Sequence, residues 1–105
     1  MSVQTKNVSG QLLDMERKNI LADVSVVINL VQPKNPDDRP HYEVTATVKG
    51  YKPELAGKSH ILKINEIISG EVFIHITGIP DTAQTRFNVN FQDSVWNSLQ
   101  WFQSL

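Results

Sequence analysis

The side chains best suited to chemistry in this sequence are its three histidines, His41, His60 and His75. A zinc site needs three or four nitrogen, sulfur or carboxylate ligands that converge on one point. None of the three has a second His at ligand spacing, and the chain contains no cysteine. One pairing is conceivable: His60 and His75 fall on consecutive strands of an expected hairpin, with Glu66 or Glu71 to add a carboxylate. The simpler reading packs His75 half-buried and leaves the other two in solvent at strand mouths. No metal and no cofactor is expected on that reading.

Asp37 and Asp38 form the other acidic candidate. Calcium recruits six or more oxygens, and its loop motifs space carboxylates at alternate positions. Two adjacent aspartates between prolines read instead as a solvated turn. Catalytic motifs are absent as well: there is no nucleophile elbow, no metalloprotease helix and no glycine-rich phosphate cradle. The five glycines, Gly10, Gly50, Gly57, Gly70 and Gly78, stand far apart near expected strand ends. An acid pair assembled by the fold needs no linear motif, so an enzyme of unidentified chemistry stays as the third reading.

The aromatic residues are more informative. Trp96 and Trp101 lie on the terminal segment, where no charged side chain occurs from Ser94 to Leu105. A helix with a wet face usually carries Lys or Glu. Two readings stay open: a helix sunk within the monomer, or one that meets a partner, since tryptophan is enriched at interface hot spots.

The elements that position these residues follow from hydropathy patterning, because side chains alternate across a strand. In residues 20–32, Ala22, Val24, Val26, Ile28 and Leu30 share one face, and the β-branched content favours strand over helix. Residues 8–15 form the preceding strand, with 16–19 as a turn and 1–7 as a flexible tail. Leu12-Leu13 breaks the alternation and leaves a short helix as the competing assignment. Residues 33–40 (PKNPDDRP) are a loop, since proline denies donors to a sheet ladder. Strands follow at about 41–51, 60–67, 71–78 and 86–91. Asp93 or Ser94 caps a terminal helix whose apolar stripe is Val95, Leu99 and Phe102, extended by Leu105 and Trp101 and flanked by Trp96.

The pattern predicts a single mainly β domain: a curved antiparallel meander or small barrel of about six strands with one C-terminal helix. The 40% hydrophobic and 20% charged content fits a folded chain of 105 residues. A formal net charge of −1 without a basic stripe argues against nucleic acid as a partner. There is no apolar run long enough to span a membrane and no visible signal peptide. The expected setting is therefore cytoplasmic, and the sequon Asn7-Val8-Ser9 reads as chance.

By elimination, the expected role is a small non-catalytic binding or adaptor protein. Its candidate contact residues are Trp96, Trp101, Leu105, Asp37, Asp38 and Arg39. The alternative is a carrier of a small apolar ligand, with Tyr42, Phe73, Phe87 and Phe91 lining the pocket. The uncharged stretch 24–32, apolar on both faces at Val27 and Val31, adds homodimerisation through that strand or through the terminal helix.

Overall fold

The computed structural model describes residues 2–79 and 81–105. Six antiparallel strands close into a barrel. They are β1 (Ser2–Leu13), β2 (Ile20–Gln32), β3 (His41–Lys49), β4 (Lys58–Lys63), β5 (Ser69–Ile76) and β6 (Gln84–Phe91). Their order around the barrel is β1-β2-β3-β6-β5-β4. Each half is a three-strand meander, but the link from β3 to β4 joins strands that are not neighbours. A 3-10 turn at Pro53–Leu55 carries that link, and its Leu55 side chain is buried in the core.

Alternation dictates what lies inside. Ala22, Val24, Val26, Ile28 and Leu30 of β2 all point inward and are buried, as expected from their spacing. Val44, Ala46 and Val48 from β3 join them, with Val72 and Ile74 from β5 and Phe87 and Val89 from β6. Phe87 stands directly opposite Ala46, so a large ring fills the space beside a small side chain. Burying one such apolar side chain contributes about 1.5–3 kcal/mol.

β1 departs from expectation at both ends. Residues 2–7, expected as a tail, are paired along β2 from Ser2 opposite Gln32 onward. The strand stops at Leu13 because Asp14 organises the turn: its carboxylate accepts from the Lys18 amide (2.9 Å) and from the Asn19 side chain (2.7 Å). The Leu12-Leu13 ambiguity resolves as an irregularity in register between those residues, which lets both side chains be buried.

β4 is shorter than expected at its C-terminal end for a similar reason. The Asn65 side-chain oxygen accepts from the amides of Ile67 and Ile68, both at 2.8 Å. Those donors are thereby withdrawn from the ladder, and residues 64–68 turn.

The expected C-terminal helix forms but is short, and a 3-10 turn precedes it. Asp93 caps a 3-10 turn at Ser94–Asn97 by accepting from the Val95 amide, and Ser98 caps α1 (Leu99–Gln103) by accepting from the Gln100 amide. Ser98 itself is extended, so the two pieces have different axes. The expected stripe of Val95, Leu99 and Phe102 therefore does not form. Val95 and Leu99 are each 36% exposed, while Trp96, Trp101 and Phe102 are buried.

β2 lies inside the sheet. It is paired with β1 and with β3 from Val24 to Val31, so over that stretch it has no free edge for a second chain. Its outer-face residues Val27 and Val31 are half-buried and buried within the chain.

Candidate protein-contact site

The histidines do not assemble. His60 is opposite Val72 and so faces the interior, where its Nε2 lies 2.8 Å from the Leu55 carbonyl oxygen. His75 sits on the outer face beside Phe73, with ring centres 6.4 Å apart. Strand alternation puts the two on opposite sides of the sheet, which corrects the one metal-site arrangement the sequence left open. His41 makes an exposed contact with Glu43 at 3.5 Å, and Glu66 pairs with Lys63 at 3.1 Å. Among the described residues, no three His, Asp or Glu side chains gather as a metal site would require.

The candidate pocket residues do not share a cavity either. Phe87 is inside the barrel with no exposed surface. Phe73 lies on the outer face. Only Tyr42 and Phe91 meet, their rings in edge contact at 5.7 Å. The interior is filled by side chains: Val26, Ile28, Leu30, Leu62, Val72, Ile74 and Phe87 are each at most 1% exposed.

Tyr42 and Phe91 belong to an aromatic cluster that seals the lower end of the barrel, where β6 ends and β3 begins. Phe91 stacks on Trp96 at 4.4 Å, Trp101 meets Trp96 at 4.9 Å, and Tyr42 touches Trp101 at 5.1 Å and Phe102 at 5.8 Å. The polar ends of both tryptophans are satisfied internally. Trp96 donates to the Glu71 carbonyl and Trp101 to the Trp96 carbonyl, each at 3.1 Å. Both rings are packed within the chain, 1% and 5% exposed, and Trp96 also lines the groove beside residues 33–40. Leu105 is half-buried and packs against the same core.

Asp37, Asp38 and Arg39 are exposed. The loop that carries them is shaped by Asn35, whose side-chain oxygen accepts from the Asp37 amide (3.1 Å) and whose carbonyl accepts from the Asp38 amide (3.0 Å). The aspartate side chains are left free of that task. Beside the loop runs an open groove of about 560 Å³ whose lining includes Arg39, Pro40, His41, Tyr42, Phe91 and Asn97.

The Tyr42 hydroxyl oxygen is buried and has no hydrogen-bond partner. Burial pushes the Tyr42 phenol above its ordinary pKa by disfavouring the phenolate, and the nearby Trp101 opposes that shift. Tyr42 is thus a neutral phenol at physiological pH, with the Trp101 indole beside its buried hydroxyl. A buried hydroxyl left unpaired costs about 1–3 kcal/mol, and such sites call for a reason. Sequence patterning missed this feature, since the alternation of β3 treats Tyr42 only as an inward apolar position.

No protein-family model matches the chain, and neither does any curated protein or solved structure.

Proposed function

We propose that this chain is a non-catalytic binding protein that contacts another protein through the groove between residues 33–40 and the aromatic cluster. The observation that carries this reading is the open groove itself, which sets the aromatic residues Tyr42, Phe91 and Trp96 beside the exposed Arg39 and His41. An extended peptide segment laid there would set an apolar side chain against Tyr42 and Phe91. Arg39 and His41 at the rim add donors for a polar or acidic flank. The filled barrel supports this reading over an apolar-ligand carrier, which needs interior space.

The test compares capture of host proteins by the wild-type chain, His41→Ala and Arg39→Glu. Proteins held by the wild type should be lost by both variants. Equal capture by all three chains, or none above a bare matrix, would overturn the reading.

A further inference from the structure

The barrel closes through a short seam. β1 meets β4 only where Gln11, Leu12 and Leu13 face Lys63, Leu62 and Ile61. β1 nevertheless runs on along β2 to Ser2. Residues 2–9 are therefore hydrogen-bonded on one side only, and no turn or loop among the described residues bonds to their backbone. Such a row of free N–H and C=O groups is a template for another strand.

Proteins that must keep an edge single protect it with proline, a bulge, or charge on either face. Residues 2–9 contain no proline, and their pairing with β2 is regular. Val3, Thr5, Asn7 and Ser9 on the outer face are uncharged and exposed. The only charge, Lys6, is on the inner face opposite Ile28, and its ammonium is engaged by the backbone oxygens of Phe102 and Leu105 at 2.7 and 3.2 Å. The outer face of this edge therefore carries no charge to repel a second copy, and the inner charge at Lys6 limits only the register.

We propose that a second copy of this chain covers the edge, with β1 pairing antiparallel to β1 of its partner about a two-fold axis through Thr5. The register follows from three constraints. Inner residues must face inner residues, so the axis passes through a residue and not between two. An axis at Lys6 would set two ammonium groups opposite each other. An axis at Asn7 or beyond runs the pairing into Gly10, where an added Cβ would already meet the Lys63 carbonyl at 2.9 Å. An axis at Thr5 leaves residues 2–8 paired, more than an axis at Gln4 or Val3 would, with Thr5 opposite Thr5, Val3 opposite Asn7 and Gln4 opposite Lys6. This interface uses a different part of the sheet from the Tyr42 groove and does not depend on it.

The chain has no cysteine, so single cysteines report cleanly. Light scattering on the wild type should give twice the 11.9 kDa chain mass. A short thiol-to-thiol linker should join Thr5→Cys chains much faster than Asn7→Cys chains, whose thiols would sit roughly 13 Å apart in this register. Thr5→Lys should weaken association by roughly fivefold, through like charges set directly opposite, with its circular dichroism unchanged. A single-chain mass for the wild type would overturn the proposal. So would equal linking at positions 5 and 7, because a dimer formed through any other surface has no reason to favour Thr5. Should Thr5→Lys fail to fold, the mass and the linking rates decide by themselves.

Discussion

Lys6 Nζ lies 2.7 Å from the carbonyl oxygen of Phe102 and 4.8 Å from the centre of its ring. One ammonium thus ties the first strand to a segment 96 residues away. α1 has no basic residue in its last turn, yet the C-terminal end of a helix favours a cation near its free carbonyls. β1 supplies that cation. The charge missing from residues 94–105 is thereby accounted for within the chain.

Lys6→Met keeps the apolar stem and removes the ammonium. The backbone oxygens of Phe102 and Leu105 then lose a charged donor, and stability should fall by about 1–2 kcal/mol. Urea unfolding followed by tryptophan fluorescence measures it. An unchanged midpoint would mean that the tie contributes nothing.

Gly70 allows Trp96 to lie against the sheet. A Cβ there would come within 2.5 Å of Val95 Cγ1 and 2.9 Å of Trp96 Nε1. Val95 is partly exposed and can yield. Trp96 is wedged against Phe91 and cannot. Gly70→Ala should therefore cost about 1–3 kcal/mol and shift tryptophan emission to the red as the indole is displaced. Emission that stays in place would show that the terminal segment adjusts without moving Trp96.

Trp101→Ala should destabilise by about 3–5 kcal/mol, since it empties space between Tyr42, Trp96 and Phe102. Ile79→Ser, at a residue 97% exposed, should stay within about 0.5 kcal/mol of the wild type. Thermal melts of the two variants side by side check the placement of the cluster. Equal melting temperatures would contradict it.

Asp14 gives the hairpin between β1 and β2 a dependence on pH. The Lys18 amide, the largest cause, and the Asn19 side chain hold its carboxyl below the ordinary aspartate value. The carboxylate is favoured in the folded chain, so its contribution is complete above the ordinary value of about 3.9. It is lost as pH falls through the lowered one. Asp14→Asn should thus be less stable than the wild type at pH 6, and the gap should narrow below about pH 4. A gap constant from pH 6 to pH 2 would contradict the assignment.

Much of this was legible in the residues themselves. Strand alternation is a local property, so the bounds of β2 at Ile20 and Gln32 and its five inward residues could be read directly. The turn at 16–19 and the loop at 33–40 announce themselves by residue type, although the first begins already at Asp14. The candidate sites were less legible. Trp96 and Trp101 looked available because nothing local says which way two capped turns, broken at Ser98, will face. His60 and His75 looked like partners until the pairing register set them on opposite sides of the sheet.

What the order of residues determined alone was the antiparallel sense of the strands and the inner faces of β2, β3, β5 and β6, since those depend on a period of two and on turn chemistry. Only the tertiary structure decided that β1 would overhang β4, that Lys6 would cap a helix from the far end of the chain, and that the Tyr42 hydroxyl would be buried unpaired. Each depends on the stagger with which the sheet closes, a relation among strands distant in sequence that no single segment encodes.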